Sequence, residues 1–246
     1  MSVSVVMAVY NGERFISKQV KSILCQLSVG DELIVIDDCS LDASLEIVAQ
    51  FESPHVKVVK NLTNIGVIKS FERGLALASN EFIFLSDQDD IWAHNKISTY
   101  LDIFTDLSIN IIASDAQVID AFGNVTSDSF MKDNLGGFSP RLDKNFIKNR
   151  FVGCTIGMRS CVCDFILPFP RFISMHDIYI GIASAFIGGV HCVDSSVFYY
   201  RRHDSNVTAV NSFNIPSFLL NRCAYIYSLS HLLFRYIYLK VAGYFR

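Results

Sequence analysis

Three carboxylates stand within four residues, Asp87-Gln88-Asp89-Asp90, directly after the apolar run Phe82-Ile83-Phe84-Leu85. Such a run reads as a buried strand of a parallel sheet, and ligands of open α/β folds bind where such strands end. Two carboxylates one residue apart at a strand exit can face a single divalent cation. Mg²⁺ takes one or two carboxylates and fills its shell with water and phosphate oxygens. The same residues would equally make a solvated acidic turn ahead of a helix. The surrounding elements must decide between the two.

Those elements start at the N-terminus. The apolar run 3–9 is strand-length and closes on the turn signal Tyr10-Asn11-Gly12. Phe15, Ile16, Val20, Ile23 and Leu24 then recur at helical spacing. Leu33-Ile34-Val35-Ile36 reads as a second buried strand ending in Asp37-Asp38-Cys39-Ser40, and residues 43–51 as the next helix. Residues 56–59 read as a third strand, 61–66 as a polar loop, 67–78 as a helix and 81–85 as a fourth strand. Strands alternating with helices of about 10–15 residues indicate βαβ units around a parallel sheet. Tyr10-Asn11, Asp37-Asp38 and Asp87 to Asp90 then all lie at carboxyl ends of strands and converge on one crevice.

In this order the stretches resemble a family 2 glycosyltransferase with the glycosyltransferase A fold. The resemblance rests on Val5 to Gly12, Ile34 to Asp42, Asn64-Ile65-Gly66 and Phe82 to Trp92. Met175-His176-Asp177 and Tyr200-Arg201-Arg202-His203 extend it over roughly the first 205 residues. It implies an α/β fold, a mostly parallel nucleotide-sugar-binding sheet flanked by helices, with a C-terminal helical extension. The expected organisation is a catalytic domain over 1–214, with a nucleotide-sugar-binding half (1–92) and an acceptor-side half (93–214). An apolar amphipathic tail follows over 215–246.

The resemblance also implies roles. Tyr10 would stack on a nucleobase for which Ala8 leaves room, or it packs as an ordinary strand-end tyrosine. Asp38 would accept the imide N–H of uracil or thymine, a donor that cytosine lacks, with Ser40 or Asp42 left to cap the next helix. Asn64 and Lys69 would lie near the ribose and diphosphate, unless Lys69 is merely a solvated helix charge. Asp89, Asp87 and His203 would hold Mg²⁺ or Mn²⁺ against the β-phosphate, with Asp87 also reaching the donor ribose and Asp90 in support. Arg202 would pair with phosphate oxygens, although residues 201–206 also read as a surface loop of mixed charge. Asp177 would be the general base of an inverting single displacement, in a position where it also suits a helix start. His176 would shape the site beside it.

Composition limits the alternatives. At 246 residues with 51% hydrophobic and 18% charged residues, the chain has enough apolar content for one sizeable core. A net charge of −3 offers no basic footprint for nucleic acid. Seven cysteines form no CxxC pair, which argues against zinc, and read as mostly small buried thiols in a reducing compartment. No basic n-region precedes the first strand, so no signal peptide is expected. A nicotinamide dehydrogenase would need G-x-G-x-x-G after strand one, where Tyr10-Asn11-Gly12-Glu13-Arg14-Phe15 stands instead. A sugar nucleotidyltransferase would need a glycine-rich basic loop there.

The expectation is therefore transfer from dTDP-rhamnose or a UDP-hexose to a hydroxyl of a lipid-linked surface polysaccharide, such as an O-antigen or lipopolysaccharide unit. The competing reading is a catalytically silent nucleotide-sugar-binding or scaffold protein of a polysaccharide assembly complex. Residues 122–150 read as a polar, glycine-bearing loop region facing the acceptor. The tail is strongly apolar, with interleaved tyrosines and with Arg222, His231, Arg235, Lys240 and Arg246 interrupting it. Its uncharged stretches are too short for a spanning helix of about 20 residues. Aromatic and basic residues on an apolar helix fit one lying among lipid headgroups, so peripheral association with the cytoplasmic face of the inner membrane is expected. A core-packing or oligomer-forming helix is the other reading of the same pattern.

Overall fold

A computed structural model describes residues 1–194, 197–204 and 215–243. The first half runs β1 (Val3–Val9), α1 (Ile16–Leu24), β2 (Glu32–Asp37), α2 (Ser44–Ala49), β3 (Val56–Lys60), α3 (Val67–Leu77), β4 (Phe82–Ser86), β5 (Ile91–Trp92) and α4 (Lys96–Ile103). The second half begins with β6 (Ile111–Ser114), β7 (Gln117–Ile119), β8 (Val125–Ser127) and α5 (Leu142–Ile147). It continues with β9 (Gly157–Arg159), α6 (Ser160–Ile166), α7 (His176–Ile187), β10 (Val190–Val193), β11 (Phe198–Arg201) and α8 (Ile215–Val241).

Seven strands make the main sheet in the order β10-β6-β9-β4-β1-β2-β3. Its pairs are parallel except those of β9, which runs antiparallel between β4 and β6. The expected mostly parallel α/β sheet with flanking helices and a C-terminal helix is what forms. Side chains alternate across each strand, so the sheet buries two faces. Val3, Val5, Met7, Phe82 and Phe84 pack with Ile16, Val20 and Tyr100 on one side. Val6, Ile83 and Leu85 pack with Phe71, Tyr179, Ile180 and Leu232 on the other. The α3 helix closes tightly onto the sheet because Gly74 has no Cβ; one placed there would meet Val6 Cγ1 at 2.3 Å.

A smaller sheet, β5-β11-β7-β8, stands beside the main one. Phe198 pairs with Trp92 and Tyr199 with Gln117, which brings residues 198–203 alongside the acidic loop.

Two local expectations are corrected, and the expected C-terminal helix forms. Residues 122–150 are not a structureless loop: they hold β8, a single π-helical turn at Met131–Leu135 and α5. Elements of three to six residues are too short to show a period, which is why the sequence conceals them. Only Cys154 and Cys163 are buried; Cys25, Cys161 and Cys223 are exposed and Cys39 and Cys192 intermediate. The tail forms the single helix α8, with Tyr225 and Leu232 buried among α6 and α7 residues and Phe234, Tyr238 and Val241 outward. Among the described residues no helix is long and apolar enough to cross a membrane. Ser205 and Asn206 of the expected loop, and Tyr244, Phe245 and Arg246 of the tail, lie outside the described residues.

The sheet edge remote from the strand exits is pinned by Glu32. Its Oε1 accepts from Ser4 Oγ (2.5 Å), Ser79 N (2.9 Å) and Ser79 Oγ (2.8 Å), and its Oε2 from Lys57 Nζ (2.6 Å). Burial pushes the carboxyl pKa up, but Lys57, Ser4 and Ser79 together pull it down to about 2. A carboxylate whose folded pKa is depressed adds stability above its unfolded pKa and loses it on acidification. Glu32→Gln is expected to cost about 1–2 kcal/mol at neutral pH. In thermal melts the gap from the wild type should close between pH 4.5 and about 2.

Candidate active site

Because β1, β2 and β4 are parallel neighbours, their carboxyl ends open on one edge, and the loops there are laced together. Gln88 donates Nε2 to Tyr10 O (3.0 Å) and accepts Tyr10 N at Oε1 (2.8 Å), tying the acidic loop to the end of β1. Gly12 admits this contact, since a Cβ there would lie 2.5 Å from Gln88 Oε1. Asn11 N donates to Ser40 Oγ, Leu41 N to Asn11 Oδ1 and Gly12 N to Ser44 Oγ. Ala8 is half-buried, and the Tyr10 ring stands 46% exposed at the rim.

Asp38 is buried at the end of β2. Its Oδ1 accepts Asn61 Nδ2 and Ile65 N, and its Oδ2 accepts Gly66 N, each at 2.8 Å. It therefore shapes the loop ahead of α3. Of a carboxylate's roughly four lone-pair positions, three are taken. The next helix leaves Asp38 free of capping, because Asp42 Oδ1 accepts Ser44 N. Asn64 lies exposed in the loop that Asp38 holds. Lys69, exposed on the first turn of α3, pairs with Glu72 at 2.5 Å.

The acidic loop meets the smaller sheet. His203 Nε2 lies 2.8 Å from Asp89 Oδ2, both side chains being largely covered, and the His203 ring packs on Phe15 with centroids 4.6 Å apart. Arg201 is fully buried: its N donates to Asp90 Oδ1 (2.8 Å) and its Nε to Asp89 O (2.7 Å). The neighbouring Arg202 turns away, its guanidinium 5.6 Å above the Tyr200 ring.

Asp90 is fully buried with Oδ2 unpartnered, and Asp87, Asp90 and Cys154 present donor atoms within 4.8 Å of one another. Burial, then repulsion from Asp89, raises the pKa of both Asp87 and Asp90, and Asp177 adds to the effect on Asp87. Burial also keeps Cys154 a neutral thiol, well above its usual range. Crowded hard oxygen donors with an imidazole across from them suit a divalent cation of the Mg²⁺ or Mn²⁺ type. Among the described residues, Asp87 and Asp90 are the carboxylates that come together with Cys154, while Asp89 and His203 pair beside them.

Across the crevice, Asp177 occupies the first turn of α7, where the helix dipole favours a carboxylate. Its Oδ1 accepts Ile178 N (2.7 Å) and its Oδ2 accepts Asn149 Nδ2 (3.1 Å). Burial nevertheless outweighs those bonds and raises its pKa to about 6. His176 points into the core instead, stacked on Phe71 at 4.1 Å, with neither ring nitrogen hydrogen-bonded. Burial holds it neutral, with its pKa down to about 3.

The fold thus brings Asp87 within reach of the charges of Asp89 and Asp177, with Asp89 paired to His203, whereas Lys69 and Arg202 are engaged with neighbours. Four participants escaped the sequence reading: Gln88, Lys96, Asn149 and Arg201. Arg201 had a usable signal. That signal is only its place in an aromatic strand: burial along β11 runs buried, half-buried, half-buried, buried, so alternation from Phe198 does not mark Arg201.

Comparison with known proteins follows from this geometry. The chain is 25% identical to an uncharacterized glycosyltransferase of Nostoc sp. over 84% of its length, and 34% identical to dTDP-rhamnosyl transferase RfbG of Shigella flexneri over 44%. It is 26% identical to UDP-Glc:alpha-D-GlcNAc-diphosphoundecaprenol beta-1,3-glucosyltransferase WfgD of Escherichia coli over 85%. It spans 66%, 40% and 73% of those proteins. S. aureus TarS in complex with UDP-GlcNAc shares the fold at a TM-score of 0.70 and 19% identity, over 96% of this chain and 72% of that one. A Pyrobaculum calidifontis mannosyltransferase with GDP-Man and Mn²⁺ does so at 0.61 and 13%, over 98% and 75%. The glycosyl transferase family 2 model matches residues 4–166, so the chain belongs to glycosyl transferase family 2.

Proposed function

We propose that this chain is an inverting glycosyltransferase that moves a sugar from a nucleoside diphosphate donor to a hydroxyl of a lipid-linked saccharide. The observation that carries the reading is the nearness of Asp87 to both the His203-paired Asp89 and the Asn149-bound Asp177, whose charges act on it. Asp177 takes the proton of the acceptor hydroxyl as its oxygen bonds to the anomeric carbon and the bond to the diphosphate breaks. The Asn149 bond orients the carboxylate, and its raised pKa makes it a better proton acceptor. Asp89, Asp87 and His203 hold the cation, which when bound stabilises the charge of the departing diphosphate. Tyr10 and Ala8 face the base, and Asp38 reads its imide with the remaining lone pair while fixing the loop that bears Asn64. Lys69 and Arg202 reach phosphate oxygens only by leaving Glu72 and the Tyr200 ring.

The names of RfbG and WfgD support dTDP-rhamnose or a UDP-hexose as donor, and that of WfgD supports an undecaprenyl-diphosphate-linked acceptor. A donor screen by mass spectrometry with lipid-linked acceptors tests both. Asp89→Ala should abolish nearly all turnover with the melting temperature little changed, and a chelator should do so reversibly with Mg²⁺ or Mn²⁺. Full activity in excess chelator would refute the cation's role.

Asp177→Asn keeps the side chain's size but cannot take the proton. Turnover is expected to fall about 10²–10⁴-fold with donor affinity unchanged. Because the base must be ionised, wild-type turnover should decline as pH falls through about 6. A rate independent of pH between 5 and 8 would shift the role to another group.

The acceptor's lipid places the enzyme at the cytoplasmic membrane face. The α8 helix supports this with Leu220, Phe234 and Tyr238 exposed, Arg222, Arg235 and Lys240 as cations, and no carboxylate along its length. Removing residues 218–246 would also strip Tyr225 and Leu232 from the core. The test therefore uses Phe234→Asp with Tyr238→Asp. Co-sedimentation with vesicles containing about one-third anionic lipid should drop several-fold in that variant; equal sedimentation would dismiss the helix as a membrane contact.

A further inference from the structure

The Gly153–Thr155 turn touches both the acidic loop and the start of α7. On one side, the Cys154 thiol shares its 4.8 Å neighbourhood with Asp87 and Asp90. On the other, a Cβ on Gly153 would stand 2.6 Å from His176 Nε2 and 3.5 Å from Asp177 Cβ, so the turn backbone abuts the start of α7. Any shift of this turn changes the separation of the acidic loop from the base.

Two residues of α4 hold the turn from behind. Lys96 Nζ donates to Cys154 O at 2.8 Å, and Tyr100 OH donates to Thr155 O at 2.5 Å. Their spacing of four puts them on one helix face. Lys96 is fully buried, with its ammonium 4.2 Å from the centroid of the Trp92 ring and 4.5 Å from that of Phe198. Aromatic faces, one carbonyl and the charges of Asp90 and Asp87 offset only part of the cost of burying an ammonium, and burial brings its pKa down to about 7. Methionine would fill the same cage without that cost, so packing alone does not account for a lysine there.

We propose that Lys96 is a positioning residue that, together with Tyr100, fixes the Gly153–Thr155 turn and through it the distance between the cation-holding carboxylates and Asp177. The inference rests on the transferase reading for its kinetic consequence, but the rigidity of the turn is measurable without turnover. Lys96→Met keeps length and removes the N–H donors; Tyr100→Phe removes one hydroxyl. Hydrogen exchange across residues 152–157 should accelerate in both variants. A misplacement of order 1 Å in a catalytic site costs about 10²-fold. The expected loss in kcat is accordingly about tenfold or more for Lys96→Met and about threefold for Tyr100→Phe, with donor KM and UDP affinity within twofold. The double variant should lose less than the product of the single losses, because both act on one turn.

Exchange at the wild-type rate with kcat within twofold in Lys96→Met overturns the proposal, as does a loss confined to KM. If Lys96→Met does not fold, Tyr100→Phe and Gly153→Ala decide: reduced kcat with intact UDP binding supports the proposal, and unchanged kcat in both defeats it. A wild-type chain that turns over no nucleotide sugar defeats the transferase reading instead, and the exchange rates still judge the turn.

Discussion

One buried guanidinium joins the two sheets of this protein. Arg201 sends its Nε to Asp89 O and an Nη to the carbonyls of Asp120 and Ala121, and it lies over the Phe15 ring with 4.9 Å to the centroid. An arginine suits this point because its planar fork carries five donors in fixed directions. It touches the acidic loop, the β7–β8 turn and the start of α1 at once. Two residues further on, His203 meets Asp89 because Arg201 has already set the path of the chain. A lysine would bring charge but not the fork.

The crevice is built against local stability. Carboxylates crowd at Asp87, Asp89 and Asp90, and burial raises the pKa of Asp87 and Asp90. Asp90 keeps an unpartnered buried oxygen, and His176 keeps two unpartnered nitrogens. Such groups cost free energy when left alone, and others lie on strands nearby, Trp92 Nε1 on β5 and Ser114 Oγ on β6. The Glu32 network shows the contrast: the same kind of side chain, with every oxygen supplied with donors, at the opposite edge of the sheet. Function and fold occupy different ends of the same strands.

The first ninety residues were legible because each element carries its own period and its own stop. The alternating contacts of β1, the helical stripe of α1 and the apolar blocks of β2 and β4 survive into the structure with boundaries shifted by a residue or two. The acidic loop stood out as carboxylates at a strand exit, whereas Asp177 was singled out through the family resemblance and is found in the first turn of α7. Lys96, Asn149 and Arg201 were not legible, because what they do depends on residues about 30 to more than 100 positions away. A lysine on a helix reads as a solvated charge until Trp92, Phe198 and Cys154 are seen around it. Arg202 drew the phosphate role by neighbourhood, and strand alternation does not single out Arg201, since Phe198 and Arg201 are both buried three positions apart.

The strand β9 enters the sheet against the direction of its neighbours, so its leading end arrives at the edge where β4 and β6 leave. That inversion delivers the Gly153–Thr155 turn to the crevice, and it has a temporal side. β1, β2 and β3 close over short separations, while the bond from Arg201 to Asp90 spans 111 positions. Loop closure of that reach comes late, after local pairing has lowered its entropic cost. During synthesis β1 to β4 can therefore assemble, with Gln88 tying the acidic loop to Tyr10, before β11 emerges to add the Arg201 and His203 contacts.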